Sequence, residues 1–206
     1  CIAIQANQNE MHGGQSVPNF DYSMAQGVDK TYSKEYFKAL IQFIQLEKGM
    51  PYDQVKALVD NVKENLGERV NMDQAQEFAR KFVDYLPRHQ RENGFQEITQ
   101  EEAQKAAGYA AETAWRETDK ATYQAMEALV HNLNTMNSRA GAQVPFSSLN
   151  YGTDTSPEGR MVIRNLLLAT ESGLGDGETP IFPVQIFKVK EGVNYNPGDP
   201  NYDLFQ

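Results

Sequence analysis

Apolar residues recur at helical spacing through most of the first two thirds of the chain. From Thr31 to Lys48, the positions Tyr36, Phe37, Leu40, Ile41, Phe43 and Ile44 fall on one face, because residues three and four apart share a side of a helix. Gly49 ends that segment, and Pro51 stands where a first helical residue tolerates the missing N–H. Val55, Leu58, Val59, Val62 and Leu66 form a second stripe, with Gly67 as its C-terminal stop. Asn71 and Gln74 supply a cap for a third helix carrying Ala75, Phe78, Ala79, Phe82, Val83 and Leu86, which Pro87 is expected to close. The polar stretch from Arg88 to Gly94 predicts a loop. Thr99-Gln100-Glu101-Glu102 is a capping box in front of the longest helix, expected to run to about Thr135. The spine of that helix is small: Ala107, Ala110, Ala111, Ala114, Thr118, Ala121, Ala125 and Ala128. Such a face admits a second helix closely, either inside one subunit or across an interface between subunits.

After Met136 the pattern changes. Val144 to Tyr151 predicts a short strand, Ser156-Pro157-Glu158 caps a helix with Met161, Ile163, Leu166, Leu167 and Leu168, and Ile181 to Val189 predicts a second strand. Strand, helix and strand in that order predict one βαβ unit with parallel strands. At the other end, residues 1–12 look like the tail of a helix, Gly13-Gly14 interrupts it, and Val17-Pro18 restarts a helical turn. The chain opens on Cys1 inside a helical run and stops at Gln206 without a closing element, so it reads as an internal piece of a larger protein.

Composition excludes several classes. No apolar run approaches the roughly 20 residues of a membrane helix. A net charge of -9 argues against a nucleic-acid binder, which clusters Lys and Arg. The single cysteine, Cys1, rules out an internal disulfide framework and a Cys-cluster zinc site, and with no signal peptide it fits a reducing cytoplasm. His12, His89 and His131 lack metal-ligand spacing, so no metal site is expected. Gly173-Leu174-Gly175-Asp176-Gly177 follows a helix and precedes a strand, the reverse of a dinucleotide loop, and reads as a turn.

Two polar segments carry more information. Asn134 to Gln143 places amides, hydroxyls, a guanidinium and a glycine between a long helix and a strand. Such groups serve either as a solvated loop or in recognising bases and phosphates, for which Arg139 offers a fork of donors. Met11 to Asn19 contains two glycines that permit close backbone approach, followed by a helix start that can receive an anion.

With these segments, the sequence resembles the large subunit of the anaerobic, glycyl-radical (class III) ribonucleoside-triphosphate reductases. The resemblance rests on Asn7-Gln8-Asn9-Glu10-Met11-His12-Gly13-Gly14-Gln15-Ser16 and on Ser138-Arg139-Ala140-Gly141-Ala142-Gln143-Val144-Pro145-Phe146. It continues through Glu178-Thr179-Pro180-Ile181-Phe182-Pro183 and Asp199-Pro200-Asn201-Tyr202-Asp203. The stretch from Tyr52 to Arg91 is the least family-like part.

The resemblance implies a helix-rich α/β fragment of the family's ten-stranded α/β barrel. Residues 1–136 would be a mostly helical effector and dimer region, and residues 137–206 a loop followed by a βαβ barrel unit. It implies reduction of ribonucleoside triphosphates through thiyl and glycyl radicals, with formate as reductant, a zinc site, a radical-SAM activating partner, ATP and deoxynucleotide effectors, and a homodimer. The radical-bearing residues and the zinc cysteines are expected outside this stretch, so it would hold no catalytic residue, bind no metal and be inactive alone. Gln15, Ser16 and Asn19 would lie beside the effector. Asn137, Ser138, Arg139, Gly141 and Gln143 would form the loop conveying effector identity, and Ser147, Ser148 and Asn150 would start a strand near the substrate. The competing reading is a non-catalytic helical interaction module descended from such an enzyme. A Cys finger loop and a glycyl-radical motif in the adjoining coding sequence would decide for the enzyme.

Overall fold

The computed structural model describes residues 3–4, 13–89, 98–136, 144–175 and 177–206. The elements in order are β1 (Gln15–Val17), α1 (Phe20–Lys48), α2 (Tyr52–Leu66), α3 (Ala75–His89), α4 (Gln100–Thr135), β2 (Ser147–Tyr151), α5 (Pro157–Ser172), β3 (Val184–Phe187) and α6 (Tyr202–Phe205). They divide into a helical unit, Val28–Thr118, and a sheet unit made of Cys1–Gly27 with Asp119–Gln206.

The helical unit is organised by the stripes the sequence displays. Tyr36, Phe37, Leu40, Val55, Val59, Val62, Phe78, Phe82 and Leu86 are buried in one core together with Ala103, Ala106, Ala107, Ala110 and Ala114. Phe78 meets Tyr36 and Phe37 edge-on, with ring centroids 5.6 and 5.7 Å apart, the arrangement that sets a positive ring edge on a negative face. Burial pushes the Tyr36 hydroxyl far above the ordinary tyrosine range. The expected capping box forms: the Thr99 N–H donates to Glu102 Oε2 at 2.8 Å, and the Glu102 N–H donates to Thr99 Oγ1 at 3.3 Å.

Two helix boundaries differ from expectation. α1 begins at Phe20 rather than Thr31, because Phe20 and Val28 are buried on the same four-residue spacing as Tyr32, Tyr36, Leu40 and Ile44. Asp21, Gln26, Gly27 and Lys30 dilute that stripe in the sequence. α3 passes Pro87 and reaches His89, so Arg88 and His89 are helical rather than loop. Proline in a last turn removes only one hydrogen bond, and His89 stacks on Tyr85 with centroids 4.0 Å apart.

The small-residue spine of α4 divides. Ala107, Ala110, Ala114 and Thr118 are buried, whereas Ala121, Ala125 and Ala128 are exposed. For Ala107, Ala110 and Ala114, tight packing inside the subunit is the outcome.

In the sheet unit three strands run parallel in the order β1-β2-β3. β2 and β3 flank α5, as the strand-helix-strand pattern predicts, although both strands are shorter than the apolar runs around them. β1 was not expected. It places Gly13-Gly14 ahead of a strand, not at a helix start. A Cβ on Gly14 would stand 3.0 Å from the Phe146 ring, so that glycine serves the approach of β1 to the start of β2. Among the described residues no helix is long and apolar enough to cross a membrane.

Candidate functional site

Parallel pairing brings together two groups of polar residues that lie far apart in the chain. Gln15 stands opposite Ser147 and Ser16 opposite Ser148, while Asn150 pairs in register with Ile186 of β3. Alternation along β2 buries Ser147, Leu149 and Tyr151 and leaves Ser148 and Asn150 half-buried on the other face. The first face lies under α5. The Tyr151 hydroxyl donates to Gln185 Oε1, and Gln185 Nε2 donates to Thr170 Oγ1 of α5. Burial raises the Tyr151 hydroxyl to about 12, so it remains a donor at neutral pH. The second face carries Ser16, Ser148 and Asn150 beside Val184 and Ile186, both of which are exposed. On that face Asn150 Oδ1 is buried with no hydrogen-bond partner among the described residues, and Ser147 Oγ is in the same condition on the first face. A buried acceptor without a partner is costly and marks a place where a ligand or water donor belongs.

The carboxyl ends of the three strands form one edge, the position at which open α/β sheets bind ligands. Asn19 follows β1 there at φ 54, a left-handed conformation that asparagine adopts more readily than most residues. Its Oδ1 accepts from Lys188 Nζ just beyond β3, at 2.6 Å. The loop after β2 is held by Asp21 and Asn194, which sequence reasoning did not single out, and by Asn201 of the Asp199–Asp203 motif. Asp21 is fully buried, and its Oδ2 accepts from the backbone N–H groups of Gly152, Thr153 and Asp154 at 2.9, 3.0 and 3.0 Å. Asn194 Nδ2 donates to the carbonyls of Gly152 and Lys188, both at 2.8 Å. Asn201 Nδ2 donates to those of Gly152 and Asp154 at 3.2 and 2.8 Å. Gly152 itself has φ 119, and a Cβ there would meet the Lys188 carbonyl at 3.1 Å.

Several of the described residues that carry the resemblance therefore have identifiable structural work. Within Asp199 to Asp203, Asn201 clamps the β2 loop, and Arg160 of α5 donates to Asn201 Oδ1 at 2.8 Å and to Asp203 Oδ2 at 2.7 Å. The Arg160 hydrogen bond holds the Asp203 carboxyl below the ordinary range. Near Pro180 to Pro183, the Ile181 and Phe182 N–H groups both donate to Asn134 Oδ1 on α4 at 2.9 Å, and Phe182 meets Phe146 edge-on at 5.1 Å. The only sequence signal for Asp21 is an acidic residue in a first helical turn, which ordinarily means no more than helix-dipole compensation.

Of the expected site residues, Gln15, Ser16, Asn19, Ser147, Ser148 and Asn150 gather on β1, β2 and their edge. Asn137, Ser138, Arg139, Gly141 and Gln143 lie outside the described residues, as do Cys1 and His12. Among the described residues no group of three or more His, Cys, Asp or Glu side chains could hold a metal ion. The zinc that the resemblance implies is expected on cysteines beyond residue 206, outside this stretch.

A parallel three-stranded sheet with a helical crossover between β2 and β3, together with a helix-rich unit, defines an α/β protein. The family model for anaerobic ribonucleoside-triphosphate reductase matches residues 1–206, and the chain belongs to that family. It is 43% identical to the anaerobic ribonucleoside-triphosphate reductase of Enterobacteria phage T4 over 94 residues, 45% of this chain and 15% of the phage protein. It is 36% identical to the Salmonella typhimurium protein of the same name over 102 residues, 49% of this chain and 14% of that protein. The Escherichia coli protein matches at 37% over 90 residues, 43% of this chain and 12% of its own length. The matched stretches thus span about a seventh of these relatives.

Proposed function

We propose that this chain is part of a polypeptide that reduces ribonucleoside triphosphates to deoxyribonucleotides, and that it carries the region through which an effector nucleotide selects the substrate. Membership of the reductase family supports the activity. The observation that carries the finer reading is the register of β1 against β2, which sets Gln15 and Ser16 beside Ser147 and Ser148. On this reading Gln15, Ser16 and Asn19 stand on the effector side. Ser148 and Asn150, with the unpartnered Asn150 Oδ1, stand on the substrate side. The strands belong to the family's ten-stranded barrel. The radical chemistry, from a glycyl radical and with formate as reductant, is supplied by parts of the whole enzyme outside these residues, after a radical-SAM partner activates it. This chain's share is to bind, orient and discriminate.

The segment from Asn137 to Gln143 is separated from β2 in the sequence only by Val144, Pro145 and Phe146. A change in that segment when an effector binds is passed to the hydroxyls and amide of β2, and coupling of this kind is typically about 1–3 kcal/mol. The test is turnover of the four ribonucleotides by the whole enzyme, with and without each deoxynucleotide effector. Arg139→Ala is expected to blunt effector-dependent substrate choice while leaving the least effector-dependent turnover nearly intact. Unchanged preferences under every effector would make Arg139 a structural residue only. A homodimer is part of the reading, and the exposed Ala121, Ala125 and Ala128 of α4 offer a small-residue face for close helix contact.

A further inference from the structure

The junction of β1 and α1 grips the carboxyl edge of the whole sheet. Three side chains between Asn19 and Tyr22 reach the ends of the other two strands. Asn19 Oδ1 accepts from Lys188, the residue after β3, at 2.6 Å. Asp21 Oδ2 accepts from the three N–H groups that follow β2, and the Tyr22 hydroxyl donates to the Thr153 carbonyl at 2.9 Å. Asn194 closes the arrangement, because its amide bridges the carbonyls of Gly152 and Lys188 behind β2 and β3.

Asp21 is the centre of this clasp. Its Oδ1 accepts from the Tyr22 N–H at 3.1 Å, so both oxygens of the fully buried carboxylate are engaged. An acidic residue that only compensates a helix dipole can stay in water at the helix end. Asp21 instead gives up its hydration and recovers it through N–H groups 131 to 133 positions away, and a buried charge is tolerated only with such partners. The loop it holds begins one residue after Tyr151, the last residue of β2, and two after Asn150. Asn150 Oδ1 has no hydrogen-bond partner among the described residues. No bond at that oxygen fixes its position, which therefore follows the β2 backbone.

We infer that Asp21 is a positioning residue for substrate: without touching it, the carboxylate fixes the carboxyl end of β2 and so aims Ser148 and Asn150. The inference rests on the substrate-side reading of those two residues given above. Misplacing a substrate-orienting group by about 1 Å can cost on the order of a hundredfold in rate, so a displaced loop has a measurable consequence.

The experiment is steady-state kinetics of the whole enzyme at saturating effector, reading KM and kcat separately for a ribonucleoside triphosphate. It is run well below the unfolding temperature of each variant. Asp21→Asn is expected to raise KM at least fivefold. A residue with a structural role alone would reduce the amount of folded enzyme, lowering kcat with KM unchanged, and that result overturns the inference. Two variants displace the same loop without altering Asp21, which covers the case in which Asp21→Asn does not fold. Gly152→Ala sets a Cβ 3.1 Å from the Lys188 carbonyl and should raise KM at least threefold. Tyr22→Phe, at a half-exposed position, removes one hydrogen bond and should raise it about twofold. An unchanged KM in both overturns the inference as well. Ser148→Ala combined with Asn150→Ala separates the two levels of the argument. An unchanged KM in that pair overturns the substrate-side reading and the inference with it. A raised KM there beside an unchanged KM in Asp21→Asn overturns the inference alone.

Discussion

Phe82 in the helical unit and Asp21 in the sheet unit are both fully buried, yet what surrounds them could hardly differ more. Phe82 sits in a continuous apolar core assembled from four helices. Asp21 is a carboxylate whose Oδ2 gathers the N–H groups of three successive residues in the loop after β2. The helical unit is thus specified by area removed from water, which is non-directional and tolerant of detail. The part of the sheet unit at the strand ends is specified by directed bonds from Asp21, Asn194 and Asn201, each useless unless its partner is in place.

The largest expected effect is in the apolar unit. Phe82→Ala removes a ring from the centre of the helical core and should cost about 3–5 kcal/mol. Hydrogen exchange offers the sharper reading. Protection should fall across Val28–Thr118, while the amides of Gly152, Thr153 and Asp154 keep theirs. Equal loss in both regions would break the comparison.

The converse experiment is Asp21→Asn, which keeps the shape and removes the charge. One neutral amide oxygen would have to serve three donors, and hydrogen bonds to a charged acceptor are the stronger kind. The expected cost is about 2–4 kcal/mol, with exchange accelerated first at Gly152, Thr153 and Asp154. A variant as stable as the parent, with those amides still protected, would show that the loop is held by Asn194 and Asn201 alone.

The same contrast decides what could be read in advance. Stripes such as Val55, Leu58, Val59 and Val62 are visible because burial of a helix face imposes a period on the sequence itself. The capping box at Thr99 and the N-cap at Ser156 are equally visible, since donor and acceptor lie three residues apart. Asp21 bonds residues 131 to 133 positions away, and no local pattern encodes that partnership. β1 is three residues long and half-polar, so it becomes a strand only through its pairing with β2. Gly159 shows a similar limit: a Cβ there would stand 2.2 Å from Asp154 Cγ, whereas in sequence it is merely a poor helix former. The candidate site was legible where its residues fell on an expected strand, as with Ser148 and Asn150, but not at Ser16, whose strand β1 was not expected. The adjacency of the three was not legible either, because register is a property of the folded sheet.

A finer comparison lies within α4, whose small residues fall into two groups. Ala114 is fully buried and Ala121 is exposed, so the same substitution should act differently at each. Ala114→Leu forces extra methylenes into a packed core and should cost about 1–3 kcal/mol in thermal or chemical unfolding. Ala121→Leu should stay within about 0.5 kcal/mol of the parent in the monomer and show itself only in self-association, followed by sedimentation at several concentrations. A large loss of stability at Ala121 with no change in association would remove that face from the proposed dimer contact.

The smallest effect tests whether charge contributes to the helical unit at all. Glu102 Oε1 stands 2.7 Å from Lys48 Nζ while its other oxygen closes the capping box with Thr99. The hydrogen bond from Lys48, followed by that from the Thr99 N–H, holds its carboxyl at about 2, well below the ordinary value of 4.5. A carboxyl depressed by folding contributes stability that is fully present above the unfolded value and is lost as pH falls through the folded one. The window is therefore about pH 4.5 down to about pH 2. Glu102→Gln keeps a side chain that can close the capping box and loses only the ion pair, which for a partly exposed pair is worth about 0.5–1 kcal/mol. At neutral pH the variant should be less stable by that amount, and the difference should shrink toward zero as both proteins are unfolded by denaturant at successively lower pH. A difference that persists unchanged at pH 2 would assign the effect to lost capping geometry, leaving the helical unit with no measurable charge term to set against Asp21.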